Sequence, residues 1–301
     1  MYHAPVLLTE SVAGLDINQA GIYVDATFGG GGHSREILKA LGNQGRLLVI
    51  DQDEAARVNV PADARCVFIH GNFRYLRNYL KYLKIDAVDG VLADLGVSSH
   101  HFDNDERGFS YKSSGELDMR MNKDSLMNAG HIVATYNEKQ LTELFRNYGE
   151  LTFAHKLAAD ITSIRAVENI CATPVFVGIV EKYCNHKTRN KILAQVFQAL
   201  RIEVNDEINA LVDFLEACRH CIRPNGRLSV ISYHSLEDRL VKNFIKSGNR
   251  FGKEEHDIYG LKPGPWRAVN RKVIVPDENE FAANSRSRSA KLRIAIRTNH
   301  G

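Results

Sequence analysis

Four short apolar runs between residues 21 and 95 constrain the fold of this chain more than any other feature. Gly21 to Ala26 (GIYVDA), Arg46 to Ile50 (RLLVI), Cys66 to His70 (CVFIH) and Val88 to Leu95 (VDGVLADL) are short and rich in β-branched residues. Runs of this kind suit strands buried on both faces, as parallel strands are. Between them lie helical stretches, Ser34 to Leu41 and Tyr75 to Leu83. Strands alternating with helices at this spacing predict an α/β fold with a doubly wound, Rossmann-like sheet.

The alternation then breaks. From about His100 to Leu193 no strand is evident, but helical patterns recur, as in Glu138 to Tyr148 and Phe153 to Ala166. One long amphipathic stretch carries Leu200, Val204, Ile208, Leu211, Leu215, Cys218 and Ile222 at helical spacing and stops at Pro224-Asn225-Gly226. Arg227 to Tyr233 (RLSVISY) follows as a fifth buried strand. The economical reading is a helical domain, residues 100–193, inserted between the fourth and fifth strands of a sheet domain made of 1–99 and 194–301. In the tail, Lys272 to Val275 and Leu292 to Arg297 read as strands separated by a polar loop.

With 301 residues, 44% of them hydrophobic, the chain can bury a full core. A net charge of +3 neither demands nor forbids nucleic acid. Five scattered cysteines argue against a disulfide framework. Cys218 and Cys221 form a CxxC, but no second pair exists and both fall in an apolar helical pattern, so buried thiols are expected and no metal site. Neither a basic segment leading into an apolar one at the start nor a membrane-length apolar run occurs, so a soluble cytoplasmic protein without a membrane partner is expected. The oligomeric state stays open, a homodimer included.

Asp25-Ala26-Thr27-Phe28-Gly29-Gly30-Gly31-Gly32-His33-Ser34 joins the first strand to the first helix. Glycines there let backbone amides approach a ligand, and the crevice of such folds lies at the carboxyl ends of the strands. Asp51 ends the second strand, where a carboxylate can accept ribose hydroxyls or simply cap a helix. Phe73 follows the third strand, either as an adenine-pocket wall or as a core ring. To this point NAD and S-adenosylmethionine are both open. Asp94 ends the fourth strand in Asp94-Leu95-Gly96-Val97-Ser98-Ser99. An exocyclic amine conjugated to a base is a poor nucleophile, and an acceptor on its N–H plus fixed alignment favours its attack on a methyl group. Asp94 suits that role, with a turn-capping residue as the alternative. A phosphate-binding GxGxxG, which an NAD enzyme wants, is replaced by GGGGH.

Taken together, the motifs resemble the small-subunit ribosomal RNA methyltransferase H family, the MraW-like cytosine-N4 methyltransferases. The resemblance rests on His3 to Glu10 (HAPVLLTE), Asp25 to Ser34, Asp94 to Ser99, Arg107 to Ser110 (RGFS) and Leu117 to Met121 (LDMRM). It continues through Phe197 to Asn205 (FQALRIEVN), Ile231 to Arg239 (ISYHSLEDR) and Ser287 to Arg293 (SRSAKLR). It implies methylation, from S-adenosylmethionine, of N4 of a cytidine in the decoding region of 16S ribosomal RNA, with that RNA or the small ribosomal subunit as partner. By matching positions it implies cofactor contacts at Gly31, Gly32, His33, Asp51, Phe73, Asp94 and His101. Two departures stand out: no proline follows His186 in His186-Lys187-Thr188-Arg189, and Ser285 stands where the proline of an Asn-Pro-Arg is usual.

Tyr233 and His234 end the fifth strand and are candidates, beside Asp94, for contact with a flipped base. His234, Ser235, Glu237 and Asp238 also suggest a hydrolase, but the Gly-x-Ser-x-Gly elbow is absent and a Ser N-cap with acids in the first turn explains them better. Asp118 and Arg120 read either as a loop wall or as an internal pair. Arg286, Arg288, Lys291, Arg293 and Arg297, with Lys187, Arg189 and Lys191, suit phosphate contacts or a solvated basic surface. A noncatalytic RNA-binding ribosome-assembly protein is the alternative function, and would not need Asp51 and Asp94.

Overall fold

The computed structural model describes residues 5–96, 107–254, 256–257, 260–261 and 264–299. The chain divides into two compact units, Met1–Gly96 with Ile208–Gly301, and Val97–Glu207. The first unit opens with α1 (Leu8–Ala13), β1 (Ile22–Asp25), α2 (Gly32–Ala40), β2 (Arg46–Asp51), β3 (Cys66–His70), α3 (Leu76–Tyr82) and β4 (Val88–Asp94). All four expected strands form. Leu47, Leu48, Val49 and Ile50 are fully buried, as a continuous apolar run requires when helices cover both faces.

The second unit holds α4 (Ala129–Thr135), α5 (Glu138–Asn147), α6 (Ala154–Ile164), α7 (Thr173–Glu181) and α8 (Arg189–Asn205). A capping box starts α5: the Asn137 side chain accepts the Gln140 N–H and the Gln140 side chain accepts the Asn137 N–H. Leu141, Leu144 and Phe145 then turn inward onto Leu157, Ile161, Phe176, Val196 and Phe197 in one core. Residues 194–207, assigned to the sheet domain from sequence, belong to this unit. The physical reason is α8 itself, a continuous helix that buries Leu193, Val196, Phe197, Ala199 and Leu200 along one stripe of that core. The long amphipathic stretch is also two helices rather than one. Asp206 adopts φ 50°, its N–H bonding the carbonyls of Ile202 and Glu203, and ends α8 there.

The chain returns through α9 (Glu207–Cys221), β5 (Ile222–Ser232) and α10 (Ser235–Ser247), then a short ribbon of β6 (His256–Asp257) and β7 (Gly260–Leu261). β8 (Trp266–Ala268), α11 (Glu278–Ala283) and β9 (Lys291–Arg297) complete the unit. Among the described residues the main sheet runs β3-β2-β1-β4-β5-β9-β8. β1 to β5 are parallel, and β9 is antiparallel to both of its neighbours. Strand residues alternate faces: Val24, Leu48, Ile50, Val91 and Ala93 pack with Leu211, Phe214 and Phe244. Tyr23, Leu47, Val49 and Leu92 pack with Ile37, Leu38 and Leu41. The doubly wound sheet expected from sequence is therefore present, with its fifth strand beside the fourth.

The tail departs from expectation. Lys272 to Val275 forms no strand; Ile274 alone bridges Leu292. β8, which has no apolar run to announce it, takes the Ala295–Arg297 half of the same β9 edge, and Val269 donates its N–H to the Ile294 carbonyl, so only the short start of β9 is left for Lys272 to Val275. The polar loop contains α11, capped by the Asp277 carboxylate on the Glu280 N–H.

Inside the second unit, Asn205 clamps the Leu117 to Met121 segment. Its Nδ2 donates to the carbonyls of Met119 (2.8 Å) and Arg201 (2.9 Å), and its Oδ1 accepts the Met121 N–H (2.8 Å). Met119 has φ 59°, so the clamp also holds a left-handed turn. Asn205→Ala strands these partners and is expected to cost about 1–3 kcal/mol, by the usual penalty for unpaired polar groups. Urea unfolding with hydrogen exchange resolved to residues 117–205 checks this; unchanged protection of that segment would show the clamp to be dispensable.

Candidate active site

β1 forks at its carboxyl end, and the fork brings the strand tips together. Ala26 donates its N–H to Leu92 of β4 (2.8 Å), whereas Phe28 donates to Ile50 of β2 (3.0 Å). The Asp25 carboxylate lies buried beneath the fork, accepting the Thr27 N–H (3.2 Å) and the Ser34 hydroxyl (2.6 Å). Burial raises its pKa, and nearby His33 and the hydrogen bonds partly counter that. Thr27 in turn accepts the Asp94 N–H on Oγ1 at 2.6 Å.

Asp51, at the tip of β2, accepts the Gly29 N–H (2.7 Å) on Oδ2 and the Asp53 N–H (2.8 Å) on Oδ1. A carboxylate oxygen can accept more than one hydrogen bond, so these bonds orient the group without excluding a diol. Phe73 opens the short helix after β3 and packs edge-on against Phe214, with ring centroids 5.1 Å apart and planes at 76°. It is partly buried, and its packing is that of the core-ring reading.

The glycines differ in what they face. Gly29 has φ 53°, and a Cβ there would meet nothing within 4 Å among the described residues. Gly31 (φ 73°) faces the Phe28 ring and donates its N–H to the Phe28 carbonyl. Gly32 lies under Pro5, whose Cγ would be 2.1 Å from an added Cβ. His33 is buried, with Nε2 3.1 Å from the Val6 carbonyl oxygen. Gly32 and His33 thus hold the N-terminal segment against the loop, and the open side of the turn lies over Gly29. His101 lies outside the described residues.

Asp94 ends β4 half-buried, and the Tyr233 hydroxyl donates a hydrogen bond to its carboxylate. Burial raises the Asp94 pKa; His33 and the Tyr233 hydrogen bond hold it part of the way down. Burial, then the Asp94 charge, pushes the Tyr233 hydroxyl well above its ordinary range. Gly96 leaves room for that ring, since a Cβ would sit 2.7 Å from Tyr233 Cε2. His234 serves as the N-cap of α10: its Nδ1 accepts the Glu237 N–H (3.4 Å), and Glu237 Oε2 accepts the N–H groups of Tyr233 (2.9 Å) and His234 (3.4 Å). The cap is therefore the imidazole and not the Ser235 hydroxyl expected from sequence. His234 Nε2 lies 3.1 Å from Glu237 Oε1 without hydrogen-bond alignment.

Several basic residues are engaged internally. Arg297 is buried, with its guanidinium on the carbonyls of Arg219, Pro265 and Thr298, which removes it from any phosphate-binding set. Arg293 and Lys291 share the Asp238 carboxylate, at 2.7 and 3.3 Å. Arg189 pairs with Glu181, and Arg288 covers the Phe281 ring. Lys187 and Lys191 are exposed. The Arg286 side chain lies outside the described part of the structure. In the second unit, Arg120 makes a two-pronged bond to Asp118 and also binds the carbonyls of Lys123 and Ser125, which favours the internal-pair reading. Cys218 and Cys221 are buried free thiols on α9.

Sequence reasoning missed Asp25, Thr27 and the Pro5–Val6 contact. An Asp-x-Thr at the end of a strand is a turn-forming signal that points to the first two. Nothing in the sequence announces the third, because it joins segments remote along the chain.

Known proteins resemble this chain over nearly its whole length. The profile of the MraW methylase family matches residues 1–298. A protein of Bacteroides thetaiotaomicron named ribosomal RNA small subunit methyltransferase H is 55% identical over 294 residues, 98% of this chain and 97% of that one. The protein of the same name from Flavobacterium johnsoniae is 52% identical with the same coverage. A solved rRNA methylase of Streptococcus thermophilus aligns over 96% of this chain and 93% of its own at 10% identity, with a TM-score of 0.43.

The seat of Pro5 on Gly32 gives a sign-reversing test. In a helix, Gly to Ala ordinarily stabilises by up to about 1 kcal/mol. Here the added methyl collides with the proline ring, so Gly32→Ala is expected to lower stability by about 1 kcal/mol or more. Pro5→Gly in the same chain should recover the loss. Thermal melts of the single and double variants check this; a stabilised Gly32→Ala would mean that the contact is loose.

Proposed function

The chain belongs to the MraW methylase family, and from that premise we propose that it methylates N4 of a cytidine in the decoding region of 16S ribosomal RNA. The observation that carries this reading is the convergence of Asp51, Asp94 and Tyr233 on the tips of β2, β4 and β5, around a turn whose open face lies over Gly29. The donor is S-adenosylmethionine, which supplies an electrophilic methyl group carried on a sulfonium. The relatives that are named ribosomal RNA small subunit methyltransferase H support methyl transfer and the RNA substrate.

Each residue has a role set by its surroundings. Asp51, oriented by the Gly29 and Asp53 amides, accepts the ribose hydroxyls of the donor. The backbone at Gly29 lets the donor approach, and Phe73 lines the adenine side. Asp94 accepts an N–H of the target amine, fixing the nitrogen toward the methyl group and offsetting positive charge as it develops there. Tyr233 favours the ionised form of Asp94 by donating to it, and closes the site on the base side with His234. Helices α4 to α8 carry substrate recognition, with Lys187 and Lys191 as exposed cations for phosphate. His101 is assigned to the donor site by resemblance alone. The reaction takes place in the cytoplasm, where the small subunit is made.

A noncatalytic assembly factor would bind RNA and leave no methyl group. Incubating small subunits with isotopically labelled donor, then digesting the RNA to nucleosides for mass spectrometry, separates the two; the expected product is N4-methylcytidine, and a label on any other nucleoside would overturn the assignment.

Asp94 works as a carboxylate, so the single-turnover rate should fall as pH drops through its pKa. Burial raises that pKa, which places the acid limb above the ordinary carboxylate range. Tyr233→Phe deletes the bond that lowers it and should move the limb to still higher pH. Asp94→Asn should keep part of the rate, and Asp94→Ala should lose about a hundredfold, as when one preorganised transition-state contact is removed. Rates of both Asp94 variants equal to the parent's, with donor saturating, would restrict Asp94 to the turn.

A further inference from the structure

We infer that Thr27 is a positioning residue for methyl transfer, its hydroxyl setting the place of Asp94 relative to the donor loop. This rests on the proposed role of Asp94 and adds a residue that the family resemblance does not assign.

Thr27 occupies the joint of the β1 fork. The residue before it bonds β4 and the residue after it bonds β2, through Ala26 to Leu92 and Phe28 to Ile50. At that point the main chain leaves β4, and a ladder of backbone bonds cannot continue to the tip. The Thr27 side chain continues it instead: Oγ1 accepts the Asp94 N–H at 2.6 Å, across 67 residues of sequence. The next N–H groups are held elsewhere, Leu95 by Ile231 of β5 (2.9 Å) and Gly96 by the Asp94 carboxylate itself (3.4 Å). The Thr27 hydroxyl thus joins the glycine turn to the main chain of Asp94.

Thr27 is itself held. Its N–H is fixed by the buried Asp25 carboxylate (3.2 Å), whose other oxygen takes the Ser34 hydroxyl at the start of α2. Its β-branched side chain has few rotamers, so the hydroxyl oxygen is placed at little entropic cost. Asp25, Thr27 and Asp94 therefore form a rigid series that ties the start of α2 to the acceptor carboxylate. The reacting nitrogen and methyl group must be held within about 0.5 Å of their productive geometry, and misplacement of a supporting group is felt in rate before it is felt in binding.

The test compares Thr27→Val, which keeps the shape and removes the acceptor, with Thr27→Ser, which keeps the acceptor. Thr27→Ala serves in place of valine if that variant does not fold. Donor affinity is measured by calorimetry, and methylation of small subunits by single-turnover rates at saturating donor. Thr27→Val is expected to lose about ten- to a hundredfold in rate, by analogy with small displacements near reacting atoms, while its donor Kd stays within about twofold. Thr27→Ser should recover most of the rate, which a general loss of stability would not predict. A parent-like rate in Thr27→Val and Thr27→Ala overturns the inference, as does a loss of rate that only follows a loss of donor binding. Asp94→Ala run alongside separates the two levels: if it is inactive while Thr27→Val is unimpaired, only this inference falls. If Asp94→Ala is itself unimpaired, the reading of Asp94 falls and takes this inference with it.

Discussion

The buried carboxylate of Asp25 is the constraint from which the geometry of the strand tips follows. A lone carboxylate in a core is costly unless donors surround it, and here the Thr27 amide and the Ser34 hydroxyl do so. Satisfying those donors requires β1 to turn at Ala26 and α2 to begin close beside it. Past Ala26, which still bonds β4, the main chain turns to bond β2 through Phe28. A crevice at the carboxyl ends of parallel strands lies where the strand order reverses, here between β1 and β4. The turn after β1 carries a hydrogen bond to the Asp51 carboxylate, from the Gly29 N–H, and one from the main chain of Asp94, whose N–H Thr27 Oγ1 accepts.

Electrostatics separate those two carboxylates. Asp51 sits among backbone amides that favour its charge. Asp94 is desolvated, which raises its pKa, while nearby His33 and the Tyr233 hydrogen bond favour its charged form. His33, which acts on Asp94 through its charge, has its Nε2 3.1 Å from the Val6 carbonyl oxygen. The N-terminal segment consequently belongs to the architecture of the site: Val6 and Leu7 pack with Ile231 and Tyr233, and Leu7 donates its N–H to Glu280 at 2.7 Å.

Much of this was legible in the sequence, and the parts that were not share a cause. The strands β1 to β5 were readable because buried parallel strands are continuous apolar runs. Asp51 and Asp94 were readable because they end such runs. Hidden features depend on partners distant in sequence or on a single dihedral. The break at Asp206 leaves the apolar spacing uninterrupted, so a pattern of side chains cannot reveal it. Arg297 looks like its basic neighbours until the three carbonyls around it are seen. His234 takes the cap from Ser235 because Glu237 reaches back to the amides of Tyr233 and His234. Blocks that carry the family resemblance also divide by what they hold together. Asp94 and Tyr233 meet at strand tips, whereas Arg120, Arg201 and Asn205 clamp the second unit, Arg201 through Glu207 at 2.8 Å.

In the proposed mechanism the donor lies on the tips of β1, β2, β3 and β4 and is held there by Asp51. Hydrogen–deuterium exchange of the full chain with and without S-adenosylhomocysteine tests this most directly. Slowed exchange is predicted in peptides covering 26–33, 50–53, 71–74 and 94–96, lost at the same ligand concentration in Asp51→Ala. Protection confined to the helices between 129 and 205, or protection at the strand tips that survives Asp51→Ala unchanged, would contradict it.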